Sequence, residues 1–485
     1  MDAMETAYRA DAAGRKIILA SRTGARLDSH VTEGGGTDDT AALQAVLDQA
    51  PALGGLYLIM DGAALVTGLR VHSNTTIHCL NQDCGFYQAA QSNCAVLTNA
   101  DWDFAGIHNR NITLIGGTYN QNCAQQEHHV TVDDTAPMYM YSGLPGSVHP
   151  VYLLEFYGVE NLLMRDVVLR DQRTHALVAA NWRHVVMENI RIDLPGRMHA
   201  QNQDGLHFFG PGQFLTLRDI RGRSGDDFIA LAPDEIDCRS DITDVLIDGV
   251  FLDDADQGIR MLSRDTGRLD RVTVRNMTGT YRSFGFYINP WYRGGKYGNY
   301  GHITFENIDL RQSAPNYDYT TPFLFRIGGN VESLVFRNIV SHLPADDRPL
   351  IELGWPVDGP ESLRDDYAFG SVLVDGLRIL TDSSSAPVRE AIRARCRVGH
   401  LTLRNVEVYQ EGRSPTGSLL HVTEDGEVDT LLLQNMMVRG LQTVVRSDGG
   451  TLRDLAASGV FCASLPGGLM ECAGGAAVET QDIRP

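Results

Sequence analysis

The chain has 485 residues and a formal net charge of -20; 43% of its residues are hydrophobic and 21% are charged. These fractions exclude wholesale disorder, and no apolar run approaches the ~18 residues that a membrane-spanning helix needs. The sequence pI of about 5.1 argues against a nucleic-acid partner. We therefore expect a folded protein with neither a membrane nor a nucleic-acid partner, and a homo-oligomer remains open.

The N-terminal segment contains one predicted helix. Its opening residues lack a basic stretch followed by an apolar core, so no signal peptide is expected, and the protein is either cytoplasmic or secreted with the signal removed. Residues 37–50 (TDDTAALQAVLDQA) have a cap-like Thr/Asp start and apolar residues at helical spacing. We predict that residues 1–60 form a strand and a helix that caps the open end of the sheet.

A short pattern recurs from residue 112 to residue 461: alternating apolar residues, then Asn, Asp or Gly, then alternating apolar residues again. Asn, Asp and Gly tolerate a left-handed backbone, and alternation with period two predicts half-buried strands. Successive hinge residues are 23 to 38 positions apart, and most separations are near 30. The predicted hinges are Asp166, Asn189, Asp219, Gly249, Asn276, Asn307, Asn338, Gly376, Asn405, Asn435 and Gly459.

A strand, a one-residue left-handed bend and a second strand, repeated about every 30 residues, predict the coils of a parallel β-helix. A β-propeller or a leucine-rich repeat fits this period and pattern less well. The predicted fold is all-β, a single parallel β-helix over residues 61–465. Loop insertions are expected near 121–150 and 289–301, and a C-terminal tail over 466–485.

The sequence predicts no metal site and no other cofactor. Eight cysteines are present, but no CxxC pair occurs, so a zinc site is not supported. Cys79 with Cys84, or Cys462 with Cys472, could form a disulfide, which the sequence does not decide.

Three aspartates are expected on one face of the stack, because equivalent positions in adjacent coils lie ~4.8 Å apart. Asp204 stands in one coil, and Asp226 and Asp227 follow the hinge of the next. Three adjacent carboxylates cannot all be ionised comfortably, so at least one pKa should rise. A carboxylic acid with a raised pKa beside an ionised carboxylate can supply the acid and the base that cleave a glycosidic bond. A solvated acidic face and a calcium site are the alternatives.

Polar residues in the same and neighbouring coils are candidate substrate contacts. They are Asn202, His175, His207, Asp256, Gln257, Arg260, Arg264 and Tyr287. The Gly-rich insertion at 289–301 adds Trp291, Arg293 and Lys296, which suit stacking on a sugar ring, although a lid without a ligand explains them equally well. A hydrogen-bonded structural histidine is an alternative explanation for His175 and for His207.

Two motifs resemble those of a known family. NQDG at 202–205 and GDD at 225–227 are similar to the NTDG and DD signatures of the polygalacturonase family, glycoside hydrolase family 28. QGIRMLSRD at 257–265 resembles the RIK region of bacterial members. GGGTDDTAALQAVLDQA at 34–50 resembles the N-terminal cap of the pectate-lyase-like β-helix superfamily.

This resemblance implies a right-handed β-helix and a polygalacturonase-like glycosidase. It implies Asp226 as the general acid, and Asp204 and Asp227 as the groups that position and deprotonate the attacking water. It also implies Arg260 as a substrate contact. An inverting mechanism follows, with ~6.5–9.5 Å between the acid and the base side to leave room for water.

Two departures from the family pattern bear on the substrate. The GHG histidine has no clear counterpart, since Asp256-Gln257-Gly258 stands in that coil, and the RIK lysine is Leu262. In an acidic chain, the absence of this lysine predicts that the substrate is a neutral or sparsely charged oligosaccharide. At most one acidic group would be held, by Arg260. Arg293 and Lys296 are an alternative source of a carboxylate site.

Other functions stay open at this point. A β-helix polysaccharide lyase would use Arg260 or Arg264 in elimination. An intramolecular glycosyl or fructosyl transferase would also use two carboxylates. A non-catalytic carbohydrate-binding spike would need none of the aspartates, because a fold does not imply a function.

Overall fold

The computed structural model describes residues 14–103, 105–131, 148–196, 202–235, 240–264, 266–290, 297–313, 322–342, 348–355, 367–381, 387–410, 414–463 and 465–473. This part of the chain is nearly all β. By its internal contacts the chain divides into two compact units, residues 1–242 and 243–485. No helix among the described residues is long and apolar enough to cross a membrane.

The first unit contains strands β1 to β17 and two short α-helices. The helices are α1 (Thr40–Leu47) and α2 (Ala50–Leu53). The strands are β1 (Lys16–Leu19), β2 (Leu56–Met60), β3 (Ala63–Val66), β4 (Leu69–Val71), β5 (Thr75–Cys79), β6 (Gly85–Gln88), β7 (Leu97–Asn99), β8 (Asn109–Ile115), β9 (Thr118–Asn120), β10 (His129–Thr131), β11 (Val148–Pro150), β12 (Leu154–Arg165), β13 (Val168–Arg170), β14 (Leu177–Asp193), β15 (Leu206–Phe209), β16 (Gly212–Gly222) and β17 (Asp227–Ala232).

The second unit contains strands β18 to β32, which have from three to 21 residues. They are β18 (Ile242–Leu262), β19 (Leu269–Asn289), β20 (Tyr300–Gln312), β21 (Phe323–Ile327), β22 (Val331–His342), β23 (Ile351–Leu353), β24 (Ala368–Leu380), β25 (Glu390–Ala394), β26 (Arg397–Arg404), β27 (Glu407–Tyr409), β28 (Ser418–Val422), β29 (Glu427–Arg439), β30 (Thr443–Asp448), β31 (Thr451–Ala463) and β32 (Met470–Ala473).

The predicted N-terminal helix is confirmed and covers a strand edge. α1 buries Leu43 and Val46, while its Gln44 side chain exchanges hydrogen bonds with the backbone N–H and C=O of Arg70 in β4, at 2.8 and 3.1 Å. Asp39, before the helix, does not cap it; its carboxylate instead accepts from the backbone N–H groups of residues 26 and 27. The helix thus occupies backbone groups of β4 that would otherwise be open to pairing.

Parallel pairing between successive coils builds the first unit. Strands β4, β7, β12, β14, β15 and β17 pair in register. Their register aligns buried aliphatic residues into one column: Leu69, Leu97, Leu154, Leu177, Leu206 and Ile229. Because side chains alternate along a strand, the residue after each of these faces the other side of the sheet.

The second unit repeats this scheme with a charged outer column. From β19 to β32, an apolar column runs through Phe286, Phe325, Ile351, Ile392, Leu420, Val445 and Met470. The rings of Phe286 and Phe325 stack with centroids 4.5 Å apart. The next position of each strand forms a second column, Tyr287, Arg326, Glu352, Arg393, His421, Arg446 and Glu471.

The prediction of left-handed hinges is confirmed. All eleven predicted hinge residues have φ between 48° and 83°. Their side chains also form ladders: Asn307 donates to Asn276 Oδ1 at 2.9 Å, and Asn338 donates to Asn307 Oδ1 at 3.0 Å. Where the hinge is Gly249, the carboxylate of Asp248 receives the hydrogen bond of Asn276 instead.

We expect Asn307→Ala to destabilise the protein by about 1–2 kcal/mol. The alanine Cβ is strained at φ 55°, and both ladder hydrogen bonds are lost. Asn307→Gly loses the same bonds without the strain, so it should cost less. Urea unfolding followed by circular dichroism measures both; equal midpoints for the two variants would show that backbone strain contributes nothing here.

The structure bears on three further predictions: the insertion at 121–150, one possible disulfide and the domain limits. Within the predicted insertion 121–150, β10 and β11 pair antiparallel, and residues 132–147 lie outside the described residues. Cys79 and Cys84 are free thiols, so that disulfide is absent. Burial raises the pKa of Cys79 above its ordinary range. The domain limits at 60 and 465 stay predictions, although β1 and β2 already belong to the parallel stack.

Candidate active site

The backbone of three successive coils brings the aspartates together. The N–H of Ala176 donates to the carbonyl of Asp204 at 3.0 Å, and the N–H of Gly205 donates to the carbonyl of Asp227 at 2.8 Å. His175, Asp204 and Asp227 therefore occupy neighbouring positions of one column. A Cβ at Gly205 would lie 2.4 Å from the carbonyl oxygen of Phe228, so only glycine permits this approach.

The aspartate cluster has the spacing that coil stacking predicts, and it is tighter than an inverting mechanism implies. Oxygen atoms of Asp204, Asp226 and Asp227 lie within 4.8 Å of one another, less than the ~6.5–9.5 Å between carboxyl groups that is typical of inverting glycosidases. The reason is geometric, since two residues are consecutive and the third stands one coil away. Asp204 is 2% exposed, whereas Asp226 and Asp227 are half-buried.

His207 joins Asp204 to a carboxylate that the sequence did not suggest. Its Nδ1 lies 2.8 Å from Asp204 Oδ2, and its Nε2 lies 3.2 Å from Glu235 Oε2. Burial by itself would lower the pKa of His207, but the hydrogen bonds and charges of Asp204 and Glu235 outweigh it and raise the pKa to about 10. His207 is therefore an imidazolium between two carboxylates at neutral pH.

His175 lies parallel to His207 but in the opposite charge state. The two rings stack with centroids 4.8 Å apart and an interplanar angle of 7°. Full burial lowers the pKa of His175 to about 4, and the nearby Asp204 only partly offsets this. His175 Nδ1 lies 3.0 Å from the backbone carbonyl of Asn202, so the neutral ring donates there. Tyr152 stacks on its other side.

Asp204 keeps one oxygen available for a proton. Its Oδ2 accepts from His207, while Oδ1 has no hydrogen-bond partner among the residues of the described ranges and lies 3.7 Å from His175 Nδ1. Oδ1 is therefore the oxygen of Asp204 that is left to accept a proton.

The remaining predicted contacts lie in the second unit or outside the described residues. Asp256 and Gln257 are buried, and Ser283 Oγ lies 3.5 Å from Asp256 Oδ2. The Arg260 guanidinium lies over the Tyr287 ring, 4.0 Å from its centroid. Arg264 is half-buried, and its backbone carbonyl accepts from Gly298. Trp291, Arg293 and Lys296 fall outside the described residues.

Sequence reasoning also missed a cluster of arginines in the outer column of the second unit. Glu352, 3% exposed at its side chain, forms ion pairs with Arg326, Arg393 and Arg395 at 3.5, 3.0 and 2.9 Å. The Arg326 guanidinium lies 4.1 Å from the Phe323 ring centroid and 3.8 Å from that of Trp355. Burial lowers the pKa of Arg326, but a guanidinium stays protonated at neutral pH.

Two groups of side chains among the described residues of the first unit have the spacing of a metal site, but the histidine group does not fit one. Donor atoms of His175, Asp204 and His207 lie within 4.8 Å of one another, as do those of the three aspartates, and both spacings would admit a cation. However, both nitrogens of His207 face carboxylate oxygens, which fits a proton on each nitrogen and leaves none to bind a metal.

No protein-family model and no curated protein matches the sequence. Comparison with solved structures finds right-handed β-helix proteins. A tailspike protein of E. coli bacteriophage HK620, solved with a pentasaccharide, is 12% identical, with a TM-score of 0.53 over 91% of this chain and 81% of that one. At this identity the likeness concerns the fold alone.

Two exopolygalacturonases are also similar in structure. The family 28 enzyme of Yersinia enterocolitica is 14% identical, with a TM-score of 0.49 over 99% of this chain and 83% of that one. The Thermotoga maritima enzyme is 13% identical, with a TM-score of 0.48 over 95% and 94%. Both TM-scores are below 0.5, so neither likeness bears on the function of this chain.

Proposed function

We propose that the protein is a glycoside hydrolase that cleaves a glycosidic bond in a poly- or oligosaccharide. The observation that carries the proposal is the cluster of Asp204, Asp226 and Asp227, with one oxygen of Asp204 engaged by an imidazolium. An acid and an ionised base within one cluster supply both proton transfers that hydrolysis needs. We also propose that the units adopt the right-handed coil of their structural neighbours.

The proposed roles are those that the family resemblance implies. Asp226, half-buried, donates its proton to the glycosidic oxygen as the bond breaks. Asp204 and Asp227 orient a water molecule, and Asp204 Oδ1 takes a proton as the water oxygen bonds to the anomeric carbon. The products are two sugars with free hydroxyls, and the enzyme regains its starting state when Asp204 releases its proton and Asp226 takes one up.

We propose inversion at the anomeric carbon. A retaining enzyme needs a carboxylate oxygen that can bond to the sugar. Asp204 is 2% exposed and hydrogen-bonded to His207, so its carboxylate is too enclosed to bond to a sugar carbon. The short separation of the carboxylates is the feature that argues for retention. NMR of the anomeric configuration in the first-formed product decides between the two outcomes.

Product analysis on a panel of glycans tests the reaction itself. Hydrolysis adds the mass of water and creates a reducing end, elimination creates an absorbing unsaturated end, and transfer conserves mass. Activity that survives EDTA would support the carboxylate mechanism over a calcium site at the aspartates. An unsaturated product would establish the lyase alternative, and conserved mass the transferase.

A carbohydrate-binding role without catalysis is the second candidate. The HK620 tailspike, which shares the fold, was solved with a pentasaccharide, and the arginine cluster could serve binding alone. This alternative predicts saturable binding of a glycan with no change in its mass, and equal binding by wild type and Asp226→Asn.

We further propose that the second unit binds an anionic group of a glycan, whereas the sequence predicted a neutral or sparsely charged oligosaccharide. That expectation rested on the missing lysine at Leu262. The guanidinium groups of Arg326, Arg393 and Arg395 surround the carboxylate of Glu352, and Arg393 also pairs with Glu390, so three cations face two carboxylates. Arg326, fixed between Phe323 and Trp355, is a preorganised fork for a carboxylate or sulfate.

We expect an acidic oligosaccharide to bind at least about tenfold more tightly than the same glycan after reduction of its carboxyl groups. Arg326→Gln should abolish that difference, because the charged hydrogen bonds to the anion are lost. Isothermal titration calorimetry measures both affinities. Arg378→Gln is the matched control, since Arg378 forms an exposed ion pair with Glu407. A preference that survives Arg326→Gln would place the anion site elsewhere.

A further inference from the structure

Glu235 lies at a position that the proposed hydrolysis does not yet use. It follows β17, and its side chain is 7% exposed. Its Oε2 faces His207 Nε2 at 3.2 Å, on the side of the ring opposite Asp204. The three side chains thus form a buried row of carboxylate, imidazole and carboxylate, which ends at the proposed base.

Hydrogen bonding fixes the protons of this row. A neutral imidazole donates from one nitrogen and accepts at the other, whereas an ionised carboxylate only accepts. With a carboxylate at each end, both nitrogens must donate, so the ring carries a proton on each. Glu235 is therefore the group that makes a charged His207 stable in a buried position where burial alone favours the neutral ring.

We infer that Glu235 is a positioning residue for catalysis: it holds His207 doubly protonated and oriented, and His207 in turn keeps Asp204 ionised and ready to accept a proton from water. This inference rests on the proposed hydrolase function. It assigns Glu235 no contact with the substrate.

The surroundings of His207 support this division of roles. Its ring packs against Phe209 and stacks on His175, which is neutral and adds no competing charge. Among the described residues, the charged groups that pair with the ring are Asp204 and Glu235, and Asp204 lies within reach of Asp226 and Asp227. Without Glu235, the imidazole would lose a proton near neutral pH, and Asp204 would lose the cation that favours its ionised form.

Glu235→Gln tests the first half of the inference without any substrate. In wild type, the nitrogen NMR signals of His207 should report a doubly protonated ring until the pH approaches 10. In the variant, the ring should titrate at or below its ordinary value of about 6.5. Glu235→Asp, which restores the charge, should restore much of the wild-type titration.

Glu155→Gln is the matched control. Glu155 is also buried and binds a histidine, His149, at 3.0 Å. Its substitution therefore removes a similar contact and leaves Asp204, His207 and Glu235 in place. It should leave the His207 titration unchanged. Circular dichroism of each variant verifies that it is folded.

The pH profile of hydrolysis tests the second half. In Glu235→Gln, the acidic limb of kcat should move to higher pH, because the cation beside the proposed base is lost. A purely structural role would lower activity at every pH without moving the limb. An unchanged His207 titration, or a changed titration with an unmoved limb, would overturn the inference.

The two proposals fail in distinguishable ways. If wild type hydrolyses no glycan, the proposed function is wrong and with it the catalytic role of Glu235, whatever the NMR titration shows. If wild type is active and Glu235→Gln keeps the wild-type pH profile, hydrolysis stands and the role of Glu235 is wrong.

Discussion

Asp226→Asn and Asp204→Asn should each lower kcat by at least about a thousandfold while leaving the fold intact. An amide at 226 cannot protonate the leaving oxygen, and an amide at 204 cannot take a proton from water; each function contributes ~10²–10⁴ in rate. Asp204→Asn also removes one of the two carboxylates that stabilise the His207 cation, so its pH profile should change as well. Reducing-end assays on the substrate found by glycan screening measure the loss.

Asp83→Asn is the control for these variants. Asp83 is an exposed aspartate of the same unit, outside the cluster, and its replacement should leave kcat unchanged. If either cluster variant retains activity near that of wild type, the assignment of acid and base is wrong. If Asp226→Asn still binds the glycan with wild-type affinity, binding and catalysis are separable at this site.

Glu352→Ala should destabilise the protein by about 3 kcal/mol, the largest stability effect that we expect for a single polar residue. Its buried carboxylate is shared by three guanidinium groups. Removing one member of a buried ion cluster leaves uncompensated charges, which costs ~3–5 kcal/mol in the general case. The partial exposure of the arginines places this site at the low end. The midpoint of urea unfolding, followed by far-UV circular dichroism, measures the change.

Glu407→Ala is the matched control for Glu352→Ala. Its ion pair with Arg378 is 3.1 Å long, but both side chains are more than half exposed, so the loss should stay below about 1 kcal/mol. Equal midpoint shifts for the two variants would show that burial of Glu352 does not make its ion pairs stronger. High salt should reduce the difference at Glu407 more than at Glu352.

The hinges were predictable because their signal is local. A left-handed backbone favours Asn, Asp and Gly, and all eleven hinges have that conformation, which His184, Phe214 and Arg271 also adopt. The aspartate cluster was predictable because only seven or eight residues separate the hinge at Asp219 from Asp226 and Asp227. Over such a short span, a fixed offset still finds equivalent positions in the coil.

The cluster of arginines around Glu352 was not predicted because loop length varies from coil to coil. Arg326 follows the hinge at Asn307 by 19 positions, whereas Glu352 follows the hinge at Asn338 by 14. The pairing that aligns them is visible only in the register of β21 with β23. Glu235 was not predicted for a similar reason. It stands 28 positions after His207 and beyond the end of β17, where the sequence has no periodic pattern.

The parallel stack has a consequence for how the chain acquires its structure. In β22, Val335 pairs with Thr304, 31 positions earlier, and in β26 Thr402 pairs with Leu373, 29 positions earlier. Relative to 485 residues, such separations give a relative contact order of roughly 0.06, far below the ~0.16–0.22 of other all-β domains. Each coil can pair with its predecessor as soon as it leaves the ribosome, at ~5–20 residues per second. Synthesis itself can therefore set the order in which the sheets assemble, from the N-terminal coil onward.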